Sequence, residues 1–329
     1  MLRALASRIY AYAVARRNAA FDTAQRPVVQ CTVPVVSVGN LLAGGTGKTP
    51  VTAMLVDILR SMGHRPAIAA RGYGRHGHGT VVVHDGSQVV ANVEQSGDEP
   101  MDLALRCNVP VVVDRVKTEA AVYAAGYLPC TVIIVDDGFQ HRTLGREVDI
   151  VIVDRATLDG ALIPTGRLRE PLTALRRATC VLRTTDVSDG DLHGIIHPES
   201  VVATVAFSQA VPELGRQPVL ALTSIARPER FVTALRDAGT TVAKHIALPD
   251  HARYTQRRCK GIITVAQSLG GATVLTTSKD VVKLAPFMEM FVERGIAVRV
   301  VPYTATIIHN AHGVVEHLRT RCPLPSNHE

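Results

Sequence analysis

VPVVSVGNLLAGGTGKTPVTAMLVDILRSMG, residues 33–63, is the stretch on which the fold turns. Its opening VPVVSV (33–38) is short and β-branched and reads as a strand. A glycine-rich turn follows, and VTAMLVDILRSMG then reads as a helix. That order is the context a phosphate-binding loop requires. In GGTGKT (44–49), Gly44, Gly45 and Gly47, with Thr46 among them, let backbone N–H groups close on phosphate oxygens. Lys48 is expected at the β- and γ-phosphates of ATP, and the Thr49 hydroxyl at Mg2+. Pro50 falls in the first helical turn, where a missing N–H costs little. The general pattern asks for glycine at position 42, and Leu42 stands there. A glycine-rich turn with a chance lysine is the plainer alternative.

Outward from this stretch, apolar runs recur at PAIAA (66–70), VPVVV (109–113), TVIIV (131–135) and DIVIV (149–153), with helical segments between them. Strands apolar on both faces and separated by helices indicate a parallel sheet covered on both sides. TVVVHDGSQVVANV (80–93), with Asp85-Gly86 at its middle, reads as a hairpin on the sheet edge. After residue 186 the texture turns polar, and a second α/β set follows. The expectation is therefore an α/β protein: a P-loop NTPase-like, mostly parallel sheet over residues 1–194, with a smaller α/β domain over 195–329 that closes on the site.

The 329 residues suffice for two domains, and 47% apolar content is that of a globular chain. No run approaches the roughly 18 apolar residues of a membrane span, and no secretory signal is read. Six scattered cysteines without a Cys-x-x-Cys pair argue for reduced thiols and against a structural zinc site. An excess of 36 basic over 29 acidic residues favours anionic partners. With 4% aromatic residues and no Trp, stacking platforms for nucleic acid are scarce, so nucleic acid is not an expected partner. In MLRALASRIYAYAVARR (1–17), helical spacing puts Leu2, Leu5, Ile9 and Ala13 on one stripe beside Tyr12, with Arg3, Arg8 and Arg17 away from it. That helix either packs on the domain or lies on an anionic membrane surface.

Chemistry-bearing residues cluster at strand ends. TVIIVDDGFQH (131–141) places Asp136 where a carboxylate holds Mg2+ through water, with Asp137, Gln140 and His141 just beyond; turn and surface roles are the alternative for Asp137 and His141. Phosphoryl transfer to an alcohol needs a group to take the hydroxyl proton. SGDEP (96–100) offers Asp98 and Glu99 at a helix start, with capping by Asp98 as the alternative. PDHARY (249–254) offers His251, which a structural role would equally explain. ARGYGR, with Arg71, Tyr73 and Arg75, and GRLREP, with Arg167 and Arg169, suit phosphate oxygens or else are surface charge.

Taken together, VPVVSVGNLLAGGTGKTP, ARGYGR, SGDEP, VVVDR, VDDGFQHR, IPTGRLREP, PDHARY and TTSKD resemble the tetraacyldisaccharide 4'-kinase family over about residues 33 to 280. The family's loop is GGxGKT, which accounts for Leu42. Ala70, Ala252 and Ser278 depart from the usual Ser, His and Glu of its motifs. The resemblance implies transfer of the γ-phosphate of ATP, with Mg2+, to the 4'-hydroxyl of a lipid A disaccharide 1-phosphate. It implies a peripheral, monomeric enzyme on the anionic cytoplasmic face of the bacterial inner membrane. Its substrate-binding residues would be Arg71, Tyr73, Arg115 of VVVDR, Gln140, His141, Arg167 and Arg169. Lys48 would act in catalysis, Asp98 and His251 would meet across the closing cleft as the proton acceptor, and Glu99 and Asp137 would lie nearer the metal held by Thr49 and Asp136. The rivals are another small-molecule kinase and a membrane-associated P-loop switch ATPase, whose signature lysine is replaced by Ala43.

Overall fold

The apolar runs form the strands of a large sheet in the computed structural model, which describes residues 2–213, 217–271 and 273–325. Met1, residues 214–216, 272 and 326–329, all within the expected domain spans, and the Leu2 side chain of the expected stripe lie outside the described residues. The first elements are α1 (Leu2–Asp22), β1 (Val35–Asn40), α2 (Lys48–Ser61), β2 (Pro66–Ala70) and β3 (Val81–His84). Next come α3 (Val93–Ser96), α4 (Asp98–Cys107), β4 (Val111–Val113), α5 (Lys117–Tyr127) and β5 (Val132–Asp136). β6 (Val148–Val153), α6 (Arg155–Leu158), β7 (Cys180–Arg183), α7 (Asp189–Leu192) and β8 (Val201–Gln209) follow.

A second set then runs β9 (Val219–Thr223), α8 (Pro228–Asp237), β10 (Val242–Ala247), α9 (Gln256–Ser268) and β11 (Thr273–Thr276). It continues through α10 (Ser278–Leu284), α11 (Met288–Val292) and β12 (Val298–Val300). The chain closes with β13 (Tyr303–His309) and α12 (Ala311–Arg321).

The large sheet has the order β13-β8-β7-β6-β1-β5-β2-β4-β3, parallel except for its edge strands β3 and β13. β1, β2, β4, β5 and β6 are buried along their whole length, as strands covered on both faces must be. The expected hairpin is reduced to β3 and a single bridge, His84 to Val89, because the chain turns at once into α3. The second sheet, β10-β9-β11-β12, is parallel throughout.

The division expected at residue 194 is corrected by the strand pairing. β8 joins the large sheet beside β7, and β13 returns after the second sheet to pair antiparallel with β8. α12 and the residue that caps it then add Val314, Leu318 and Cys322 to the large sheet's core. The second sheet is thus an insertion between two paired strands. Both halves of the chain alternate strands and helices, so local pattern gave no sign of the return.

α10 is shared between the two bodies. Its Val282 enters the core of the large sheet, whereas Leu284 enters the core of the second. It packs on α4, whose first residues are Asp98 and Glu99. Leu318→Ala tests the corrected boundary, since Leu318 is fully buried. It should lower the unfolding free energy by about 2–5 kcal/mol, read as a lower urea midpoint by circular dichroism. An unchanged midpoint would mean that α12 is no part of this core.

Candidate active site

β1 lies between β6 and β5, so the carboxyl ends of β1 and β5 are neighbours, with Val38 level with Asp136. Open α/β sheets take ligands in the crevice outside such strand ends. The loop from Ala43 turns there into α2, with Gly44 at φ 103° and Gly47 at φ 87°, conformations that favour glycine. A Cβ at Gly47 would also collide with the Phe207 ring, and one at Gly44 with the Arg167 guanidinium. Asn40 at the end of β1 braces the loop: its amide donates to Thr46 Oγ1, and its carbonyl accepts from Lys48 Nζ at 3.3 Å. Residues 43–50 line a cleft of about 750 Å³, which is closed on its other side by Arg227, Arg230, His251 and Lys279 of the inserted body.

Glu99, Asp102, Asp136, Asp137 and Asp250 line this cleft, and Asp98 stands beside it on His251. Asp136, 5% exposed, accepts from Thr52 Oγ1 at 3.0 Å. Burial, with Glu99 and Asp137 close by, pushes its carboxyl up to about 6. Asp137 stands in a left-handed turn, φ 51°, and is held by Arg169 at 2.7 and 2.9 Å and by Lys48 at 3.4 Å. Burial raises its carboxyl, but Arg169 and Lys48 overcome this and hold it well below the usual carboxylate range. Burial likewise raises Glu99, and the paired Lys279 ammonium brings it below its ordinary value.

Asp98 is the first residue of α4, and Gly97 precedes it as the cap. Its carboxylate therefore turns to His251, whose Nδ1 lies 2.9 Å from Oδ2 and 3.1 Å from Oδ1. Burial raises Asp98, but the bond and charge of His251 bring it below 3.8; the same bond lifts His251 above 6.5. The Tyr73 ring lies 5.2 Å from the His251 ring. Asp98 and His251, 153 residues apart in sequence, thus meet across the cleft.

Other expected site residues lie elsewhere or are engaged. Arg115 is exposed and outside the cleft lining, because the helical turn that follows it points Lys117 inward instead. Gln140 donates to Asn40 O at 2.8 Å and braces β1. His141 Nε2 accepts from Thr118 N at 3.1 Å, and burial together with Lys117 and Arg146 pushes its imidazole down to about 4. It is a neutral acceptor inside the fold. Arg167 lies on the outside of the phosphate loop, donating to Ala43 O, and Arg75 donates to Gly79 O. Arg71 lines the cleft, and no side chain among the described residues pairs with it.

Three lysines were not singled out from sequence: Lys117, which donates to Asp137 O, and Lys279 and Lys283 of α10. Their only sequence signal was position, Lys117 two residues after VVVDR and Lys279 within TTSKD.

The α1 helix docks by the face opposite to the expected stripe. Ser7 donates to Leu162 O, Tyr10 to Arg169 O, and Arg17 and Asn18 to Glu170, while Val14 is buried. Leu5, Ile9 and Tyr12 are exposed by 58%, 62% and 70%. No helix among the described residues is long and apolar enough to cross a membrane.

Residues 1–322 match the family described as tetraacyldisaccharide-1-P 4'-kinase, LpxK. Tetraacyldisaccharide 4'-kinase of Geobacter metallireducens is 37% identical over 305 residues, covering 87% of this chain and 89% of that one. The protein of the same name from Anaeromyxobacter sp. strain Fw109-5 is 36% identical, covering 86% and 82%. Among solved structures, an "apo" form of LpxK from Aquifex aeolicus in complex with ATP superposes with a TM-score of 0.79 at 26% identity, covering 98% of this chain and all of that one. With its phosphate loop, acidic strand end and cross-cleft carboxylate–imidazole pair in one cleft, the chain belongs to the tetraacyldisaccharide 4'-kinase family, ATP-dependent kinases of the lipid A disaccharide 1-phosphate.

Proposed function

We propose that the Asp98–His251 pair takes the proton of the 4'-hydroxyl as the phosphoryl group leaves ATP at the phosphate loop. The observation that carries this reading is the pair itself, assembled from two bodies at hydrogen-bond distance beside the loop. Asp98 fixes the ring through Nδ1, and a base oriented by a carboxylate is the usual way to make a hydroxyl nucleophilic. Lys48 neutralises the β- and γ-phosphates, exchanging its contact with Asp137 for them. Asp137 has Arg169 as its other partner.

Mg2+ fits the donors present. Thr49 supplies a hydroxyl in the first turn of α2, and Asp136 is a buried carboxylate crowded by two others. Hard oxygen donors with one or two carboxylates suit Mg2+. Thr49 and Asp136 would hold it, where it would neutralise charge on the phosphate oxygens. Glu99, already paired with Lys279, is not needed for it.

The acceptor carries a 1-phosphate and acyl chains. Arg71, unpaired by side chains among the described residues and lining the cleft, is the guanidinium free to grip an anion. The exposed Leu5, Ile9 and Tyr12 of α1, beside exposed Arg3, Arg8 and Arg16, suit an anionic lipid surface. That surface is the cytoplasmic face of the inner membrane, where ATP and the lipid meet.

Asp98→Ala and His251→Ala should each lower kcat on the order of 10²-fold, with the double variant little worse than the worse single one. Multiplicative losses would exclude a functional pair. The pair also carries a pH signature. His251 is raised above 6.5, so its contribution to stability is full below that pH and fades as pH rises through the raised value. Asp98 is depressed below 3.8, so its contribution is present above that pH and fades as pH falls through the lowered value. His251→Ala should therefore cost more in thermal midpoint at pH 5.5 than at pH 9, against wild type at each pH.

Arg71→Ala should raise the apparent KM for the lipid several-fold with the KM for ATP unchanged. Equal changes in both would place Arg71 on the nucleotide.

Replacing Leu5, Ile9 and Tyr12 together by Ser should weaken sedimentation with vesicles containing anionic lipid, while ATP binding persists. Undiminished sedimentation would remove α1 from the membrane reading.

A further inference from the structure

We propose that Lys283 is a positioning residue for Asp98, the tie between a buried carboxylate of the inserted body and the pair in the cleft. The inference rests on the Asp98–His251 reading and adds the group that holds it in place. Its starting point is Asp280, which is fully buried. Asp280 accepts from Ser224 N at 3.0 Å, Thr277 Oγ1 at 2.7 Å, Tyr254 OH at 3.1 Å and the Ser224 hydroxyl. With four donors on two oxygens, that carboxylate is held rigidly.

Lys283 stands one helical turn further along α10, its side chain 8% exposed. Its ammonium lies 3.2 Å from Asp280 Oδ1, 2.5 Å from Ser224 Oγ and 3.5 Å from Asp98 Oδ2. Its three contacts are a hydrogen bond to Ser224 Oγ and ion pairs with the two carboxylates. Two of them belong to the inserted body and one to α4, so the ammonium bridges the two. The same cluster also reaches the other member of the pair, because Ser224 O accepts from His251 N at 3.3 Å. Ser224, Asp280 and Lys283 therefore support the backbone of His251 and the carboxylate of Asp98 at once.

Burying a lysine and two carboxylates costs solvation, and a packed apolar trio would serve stability as well. What an apolar trio cannot supply is a fixed cation beside Asp98. The groups that face Asp98 are His251, Lys283 and Lys279 from the inserted body, and Glu99 and Asp102 from its own helix. Of the two lysines, Lys279 is paired with Glu99, which leaves Lys283 as the one in direct contact with Asp98. Both contacts require α10 to lie on α4.

The test uses full-length Lys283→Met and Lys283→Gln, each alone and in Asp98→Ala, assayed with ATP and tetraacyldisaccharide 1-phosphate in detergent micelles. Lys283→Met is expected to lower kcat about 10-fold, the scale of coupling within one ionic network. It should leave the KM for ATP unchanged and move the acid limb of the kcat–pH profile to higher pH, since Asp98 loses a cation that favours its charged form. In Asp98→Ala the same change should cost nothing more. Lys283→Gln, which keeps polar reach without charge, gives the same readout should the Met variant not fold. A wild-type kcat and pH profile, or an equal loss in the Asp98→Ala background, would overturn the inference. Full activity of Asp98→Ala and His251→Ala would instead overturn the pair, whatever Lys283 does.

Discussion

Glu99, Asp102, Asp136 and Asp137 line one cleft at the strand ends with Asp98 beside it, and like charges so placed must be offset or they push the site apart. The protein supplies its own cations for three of them. Arg169 and Lys48 hold Asp137, Lys279 holds Glu99, and His251 with Lys283 holds Asp98. Among the described residues Asp136 and Asp102 have no such partner: Asp136 accepts from Thr52, and each is raised to about 6. Of the two, Asp136 stands at the strand end beside the phosphate loop, the place where an external cation would also meet the phosphates. The crowding of carboxylates also explains why lysines recur in the cleft of a chain with modest excess charge.

Those cations come from separated parts of the chain, and the topology is what gathers them. β8 and β13 form an antiparallel pair at one edge of the large sheet, and the second sheet is inserted between them. Both connections into the inserted body therefore start from one edge, which leaves its far side to rest on α4 through α10. Val282 of α10 fixes that contact in the large core, and Lys279 and Lys283 on the same helix deliver charge to Glu99 and Asp98. Apolar packing sets the register and the ion pairs use it.

Much of this was legible in the sequence where the signal is local. The phosphate loop, the carboxylate at the end of β5 and the parallel sheet follow from spacing and from apolar runs of known length. The meeting of Asp98 with His251 was expected because a carboxylate alone is a modest base and a partner imidazole can share the developing proton. What stayed hidden depends on tertiary pairing. Nothing in VVATVAFSQ or YTATIIH says that they pair with each other across the inserted body. His141 looked like a ligand-facing imidazole, yet Thr118 is the donor that claims it. Arg169 looked free until Asp137 was found beside it, and long lysine side chains carry no mark of the carboxylate they will reach.

The α1 helix shows the same limit from the other side. Periodicity identified two faces, but hydrophobicity alone would have buried the wrong one. The face that docks is polar, because its partners are the carbonyls of Leu162 and Arg169 and the buried carboxylate of Glu170. Glu170 in turn is held by Arg177 at 2.9 Å, so the helix is bolted to a charged and rigid segment. That segment is also the one that carries Arg169 to Asp137 and Arg167 to the phosphate loop. The exposed apolar face and the cleft are therefore anchored to one short stretch of chain, residues 162–170. Whatever surface that face rests on, its distance from the phosphate loop is set by this stretch rather than by a flexible linker.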